Sequence, residues 1–236
     1  MMHLKKYKIN ASLTCIDLSN INKAMKEIDN SDIYSLHYDV VDGKFNTCFM
    51  FGDRMISVFK NLSKKPIMVH LACEDPTLYI PTFIRNKADG IIIHYESNCD
   101  VLKNLKIIKQ AGLKAILGFC CDTSVPDDFL IYAKEADSIL KLTVYPGFSG
   151  QKFYKPALEH IKEMKAIMDK EKIVIPIEVD GNINQDTIVP CALAGATLFT
   201  GGSSGLFNTE HTLQENISTL YQTLESRVTS NANHNE

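Results

Sequence analysis

The 236-residue chain lacks the marks of several specialised classes of protein. No stretch approaches the length of a membrane span, and the charged start M-M-H-L-K-K-Y-K leads into no apolar run of the kind a secretory signal carries. There is no long basic run and the formal net charge is −3, so neither nucleic acid nor a membrane surface is expected as a partner. The seven cysteines are odd in number and lack zinc-finger spacing, and the adjacent pair Cys120 and Cys121 is ill suited to a secreted disulfide framework. Reduced thiols and a cytoplasmic location are therefore expected. No repeat, low-complexity tract or Pro/Gly-rich linker divides the chain. No GxGxxG follows the first apolar run, which argues against a dinucleotide-binding domain.

What is present is an alternation of short apolar runs with longer amphipathic ones, the βαβα pattern of a parallel sheet covered by helices. Strands are expected at 8–12, 33–40, 66–70, 90–94, 114–119, 138–144, 175–179 and 197–200. Helical patterns begin near Asn20, Asp53, Thr77, Val101, Val125, Lys155, Asn184 and Thr212, several at residues suited to capping. Eight such pairs, with 45% hydrophobic residues to fill one core, favour an α/β fold of the single (β/α)8 barrel type over an open doubly wound sheet. One barrel domain is expected over 1–226, with a flexible polar tail over 227–236.

Active sites of such barrels lie at the C-terminal ends of the strands. Polar residues gather there: Ser12 on the first strand, His37 and Asp39 on the second, His70 on the third, His94 with Glu96 beyond it on the fourth, and Asp180 on the seventh. His37 and Asp39, two apart in L-H-Y-D-V-V-D-G, share one face of their strand. Two histidines and two aspartates, His37, Asp39, His70 and Asp180, can ring one divalent ion, and imidazole with carboxylate suits Zn, Fe, Mn or Co. Any one of them alone reads better as a hydrogen-bonded structural group; their joint position raises the metal reading. His94 has no same-strand partner and reads as a structural group, or as one beside the ligands, rather than as a ligand, while Glu178, deeper in the barrel, is expected to be scaffold with a polar partner.

Two glycine-bearing loops suggest an anion site. They are P-G-F-S-G-Q from Pro146 to Gln151, after the sixth strand, and G-G-S-S-G from Gly201 to Gly205, after the eighth. Glycine lets backbone N–H groups wrap an anion, and Gly181 can join them. Tight turns are the plainer reading of each loop in isolation; their place in the barrel favours phosphate.

Together the motifs H-x-D-V-x-D-G-x-F, V-H-L, H-x-E, T-V-x-P-G-F-x-G-Q-K-F, I-E-V-D-G and A-G-A resemble the ribulose-phosphate 3-epimerase family over most of the chain. The resemblance implies a TIM barrel with one divalent metal on His37, Asp39, His70 and Asp180, and no organic cofactor. It also implies Asp39 and Asp180 as the acid/base pair, Ser12 and His70 against the substrate, and Gly147, Gly150, Gly181, Gly202 and Ser203 around its phosphate. The substrate so implied is a phosphorylated ketose, with ribulose 5-phosphate first and allulose 6-phosphate as the alternative. S-L-T-C-I-D-L at Ser12 and G-S-S-G-L-F-N at Gly202 look more like the hexulose branch. The family is commonly oligomeric, so a homo-oligomer is a possible state. Val41, Ala72 and Leu142 stand where the family usually has methionine, and Lys141 occupies a usually apolar, outward-facing position. These departures motivate a reading of another class, a phosphosugar-binding protein without catalysis. A Schiff-base aldolase would need a lysine in the pocket, and Lys141 is expected to face away from it.

Overall fold

Period-two patterning gives each strand segment two faces, one for the helices and one for the barrel axis. The computed structural model describes residues 6–148 and 150–232. Eight parallel strands close a barrel in chain order: β1 (Lys8–Ser12), β2 (Leu36–Val41), β3 (Ile67–Ala72), β4 (Gly90–His94), β5 (Lys114–Phe119), β6 (Ser138–Leu142), β7 (Ile177–Asp180) and β8 (Leu198–Gly201). Helices follow each strand: α1 (Ile21–Asp29), α2 (Met55–Leu62), α3 (Ile80–Arg85), α4 (Val101–Gln110), α5 (Phe129–Ala133), α6 (Ala157–Lys170), α7 (Ile188–Ala194) and α8 (Leu213–Ala232). The fold is the expected TIM barrel. Among the described residues, no helix is long and apolar enough to cross a membrane.

Three strands, β1, β4 and β5, match the sequence expectation residue for residue. The other ends differ for local reasons. β7 begins after Pro176, which has no N–H to give a ladder. β6 stops at Leu142: the Thr143 N–H still donates to the Asp180 carbonyl, but the Thr143 carbonyl oxygen is taken by the Tyr154 N–H instead of by the neighbouring strand. The cap expected at Thr212 holds, since Thr212 and Glu215 accept each other's backbone N–H in a capping box at the start of α8, and at the start of α4 Asp100 accepts the Lys103 N–H at 2.9 Å. Asn20 gives α1 no side-chain cap. The tail expected from 227 needs correction, since α8 continues through Ala232. No glycine or proline interrupts 227–232, and extending an existing helix is easy compared with starting one. Residues 233–236 of that expectation lie outside the described residues.

The outward-facing strand residues pack against the helices in one large apolar cluster. Tyr38 is fully buried there, stacked on Phe51 with ring centroids 5.0 Å apart and edge-on to Phe59. Each such aromatic contributes roughly 2–3 kcal/mol by leaving water. Inside the barrel a second, smaller cluster of Ile92, Ile116, Leu140 and Leu142 fills the side of β4 to β6. The side of β7, β8 and β1 to β3 carries buried polar groups, Asn10, His37, His70, Glu178 and Thr200. The outer layer holds the barrel in shape; the inner polar side carries the site.

Candidate active site

Strand register brings the polar ends together. Ser12 pairs with His37, Asp39 with His70, and Leu142 with Asp180 and then Thr200 around the barrel. Cross-strand neighbours on one face lie side by side, so His37, Asp39, His70 and Asp180 converge on the axis. His37 Nε2 lies 3.1 Å from His70 Nδ1, 3.1 Å from Asp39 Oδ1 and 3.6 Å from Asp180 Oδ2, and His70 Nδ1 lies 3.0 Å from Asp39 Oδ1. Four-coordinate nitrogen and oxygen ligands about 2.0–2.1 Å from a zinc-like ion stand roughly 3.3 Å from one another. The four donors are thus spaced as a cage for one divalent ion, and these four residues form a metal-competent group.

The outer nitrogens of the two histidines differ: that of His70 is hydrogen-bonded and that of His37 is not. His37 Nδ1 stands 3.4 Å from Glu178 Oε1, a charge contact whose geometry falls short of a hydrogen bond. That carboxylate also accepts from the Asn10 amide at 3.0 Å and the Thr200 hydroxyl at 2.6 Å, and Ser35 holds Asn10 in turn. Glu178 is therefore the scaffold its depth suggested, with partners on three other strands or loops. His70 Nε2 meets His94 Nε2 at 2.7 Å, and His94 Nδ1 meets Glu96 at 3.1 Å.

The two aspartates differ in their proton affinity. Burial works to raise Asp39, but His37, His70 and the hydroxyls of Ser12 and Thr14, 3.2 and 3.3 Å from its Oδ2, outweigh burial and hold it below the usual carboxylate range. Burial raises Asp180 to about 7; the nearby His37 opposes this, and the charges of Asp39 and Glu178 add to it. Of the two, Asp180 is the carboxylate that takes up a proton first.

Above these groups opens a cavity of about 280 Å³. Ser12, Asp39, His70 and Asp180 form its floor side, and Gly147, Gly150, Gly181, Gly202 and Ser203 also line it. His37 is fully buried beneath the lining, as is His94. Among the described lining residues there is no lysine or arginine, so an anion there would be held by backbone N–H and hydroxyl groups. Gly147 and Gly181 are required by geometry. Both have positive φ, +107° and +116°, and a Cβ on Gly147 would strike Cys48 Sγ while one on Gly181 would lie 2.5 Å from Val144. Val41, Ala72 and Leu142 all line the cavity, as their alignment with pocket methionines implied.

Some participants escaped the sequence reading. Thr14 supports Asp39 from a short helical turn after β1, and Asn10 supports Glu178. Asn10 could have been found, since it is a lone polar residue two before Ser12 on the same strand face. Lys141 does face away from the pocket, as expected, but it is fully buried, with Nζ donating to the carbonyl oxygens of Cys120 and Thr123 at 2.6 Å each.

Comparison with known proteins follows the same lines. Residues 8–207 match the Ribulose-phosphate 3 epimerase family. The chain is 32% identical over 199 residues to a ribulose-phosphate 3-epimerase of Bacillus subtilis, covering 84% of this chain and 91% of that one. It is 36% identical over 174 residues to the enzyme of the same name from Aquifex aeolicus, covering 73% and 77%. Among solved structures, KGPDC from Streptococcus mutans superposes with a TM-score of 0.66 at 12% identity, covering 94% of this chain and 98% of that one. The 3-hexulose-6-phosphate synthase of Salmonella typhimurium gives 0.63 at 17% identity, covering 92% and 98%. At those identities the structural likeness speaks for the barrel alone.

Proposed function

This chain belongs to the ribulose-phosphate 3-epimerase family and is an epimerase of phosphosugars, and we propose that it interconverts ribulose 5-phosphate and xylulose 5-phosphate with a divalent ion held by His37, Asp39, His70 and Asp180. The observation that carries this reading is the half-buried pair Asp39 and Asp180. They border one metal-competent cage at the floor of a cavity whose glycine loops suit a phosphate.

Inverting C3 of a 2-ketose phosphate means removing the proton alpha to a carbonyl and returning one to the opposite face, which takes two groups. Asp39, held ionised by Ser12, Thr14 and the histidines, is the group ready to accept a proton. Asp180, which burial makes the more basic of the two carboxylates, is the group ready to give one. The reverse reaction exchanges the roles. A divalent ion in the cage supplies Lewis acidity toward the substrate oxygens. The N–H groups of Gly147, Gly181, Gly202 and their neighbours would anchor the phosphate, so that binding energy remote from C3 serves orientation.

The hexulose phosphate pair, allulose 6-phosphate and fructose 6-phosphate, is the second reading, favoured by the small side chains Val41 and Ala72 on the cavity wall. Both are tested by stripping the protein, reloading it with Zn, Fe, Mn or Co, and measuring kcat/KM for each sugar pair. The pentulose pair is expected to be turned over faster and only with metal present. Faster turnover of the hexulose pair would replace the first reading by the second. Ligand binding without turnover of either would overturn both.

A further inference from the structure

His70 and His94 stand in line between two carboxylates. Three gaps follow one another along this line: Asp39 Oδ1 to His70 Nδ1 at 3.0 Å, His70 Nε2 to His94 Nε2 at 2.7 Å, and His94 Nδ1 to Glu96 Oε2 at 3.1 Å. Each gap is closed by one hydrogen, yet two neutral imidazoles bring only two. One gap in three is left for something else. The gap at the Asp39 end is shared with His37 Nε2, 3.1 Å from His70 Nδ1, and there a divalent cation can stand where a proton would otherwise be needed.

That leaves one arrangement of the remaining two hydrogens. We propose that His94 and Glu96 are positioning residues that set the tautomer of His70, so that its Nδ1 presents a lone pair to the ion site. Glu96 accepts the His94 Nδ1–H, His94 Nε2 accepts the His70 Nε2–H, and His70 Nδ1 carries no hydrogen. The inference rests on the metal centre proposed above. It differs from the arm on the other histidine, where the Glu178 carboxylate faces His37 without an intermediate.

The surroundings are shaped for this chain of groups. His94 is fully buried, and Gly118 on the neighbouring strand leaves it room, since a Cβ there would lie 3.2 Å from His94 Nε2. The Phe45 ring covers its other side with centroids 4.9 Å apart. Glu96 is fixed by the Cys120 N–H, which donates to Oε1 at 2.8 Å. The next peptide unit is held from behind by Lys141, whose Nζ donates to the Cys120 carbonyl oxygen. Both Glu96 oxygens thus have assigned donors, and the orientation that receives His94 Nδ1–H is the one that is locked. A bound ligand histidine whose other N–H is fixed in this way holds metal more tightly, and loss of the partner weakens binding by about 10- to 100-fold.

The test uses zinc-loaded protein and nitrogen-edited NMR of its seven histidines. The expected spectrum shows hydrogen on Nε2 of His70 and on Nδ1 of His94. A His94 hydrogen on Nε2 instead overturns the proposal. Glu96→Gln offers one acceptor oxygen for two donors, and His94→Phe removes the acceptor altogether while keeping an aromatic ring against Phe45. Both are expected to lower zinc affinity by about 10- to 100-fold in competition with a chelator; Glu96→Gln is also expected to disturb the His70 nitrogen shifts. Unchanged affinity in both variants, with zinc still shifting His37 and His70, overturns the relay alone. Zinc that shifts neither histidine in the unaltered protein overturns the metal centre and the relay with it. If His94→Phe fails to fold, Glu96→Gln and the tautomer measurement decide.

Discussion

The interior of this barrel has two unlike halves. From β4 to β6 it is filled by Ile92, Ile116, Leu140 and Leu142. From β7 round to β3 it is threaded by Asn10, Glu178, Thr200, His37, Asp39 and His70, each within reach of another. Apolar packing is not directional, so the first half needs only to be full. A buried polar group left without its partner is costly, so in the second half every orientation is prescribed by the next group along. β4 joins the two, with Ile92 on one side of the division and His94 on the other. The difference suggests that chemistry and stability can be damaged separately in this molecule.

The strongest attack on the polar half is Asp39→Asn or Asp180→Asn. Either should lower kcat by roughly 10²- to 10⁴-fold and suppress exchange of the C3 proton with solvent. Exchange at the original rate, followed by NMR in heavy water, would remove that aspartate from the mechanism. In the apolar half, Leu140→Ala should cost about 2–5 kcal/mol in denaturant unfolding while leaving kcat of the folded fraction nearly unchanged. A fall in kcat as large as that of the aspartate variants would show that the two halves are not separable.

Smaller effects sharpen the contrast. Glu178→Gln keeps the shape of the side chain but removes the charge facing His37, and is expected to weaken metal binding by about 10- to 100-fold, read by chelator competition. The smallest effect concerns Lys141, which lies outside the barrel interior. Burial lowers its ammonium group to about 8, although nearby Glu96 opposes the shift, whereas in an unfolded chain a lysine titrates near about 10.4. Between those values the unfolded chain binds more protons than the folded one, so the protein gains stability as pH rises, by at most about 1.4 kcal/mol per pH unit. Lys141→Met should lack that rise when the two proteins are compared by denaturant unfolding at pH 8 and pH 10.

The alternation of apolar and amphipathic segments was enough to expect eight strands and a barrel, since period-two and period-3.6 patterns are properties of local geometry. The same locality made His37, Asp39, His70 and Asp180 visible, because each is a polar residue closing an apolar run. Strand ends were less legible. Pro176 delays β7, whereas β6 ends where the Tyr154 N–H takes the Thr143 carbonyl oxygen, a contact that no strand-period pattern records. Thr14 was missed because it lies in a turn after its strand, where periodicity gives no face to assign.

The sequence by itself determined the architecture and named the four residues of the metal-competent group, because repeated patterning and strand-end position are written within a few residues of each group. Tertiary structure alone decided how those residues are oriented. Asn10 reaches Glu178 across 168 positions of chain, and β1 pairs with β8 only because the whole sheet curves round to close. His70, His94 and Glu96 meet only after β3 and β4 take up their register beside the site. Hydrogen bonds act over about 3 Å and depend on direction, so which atom of a buried imidazole faces the four-residue cage is settled by the closed barrel.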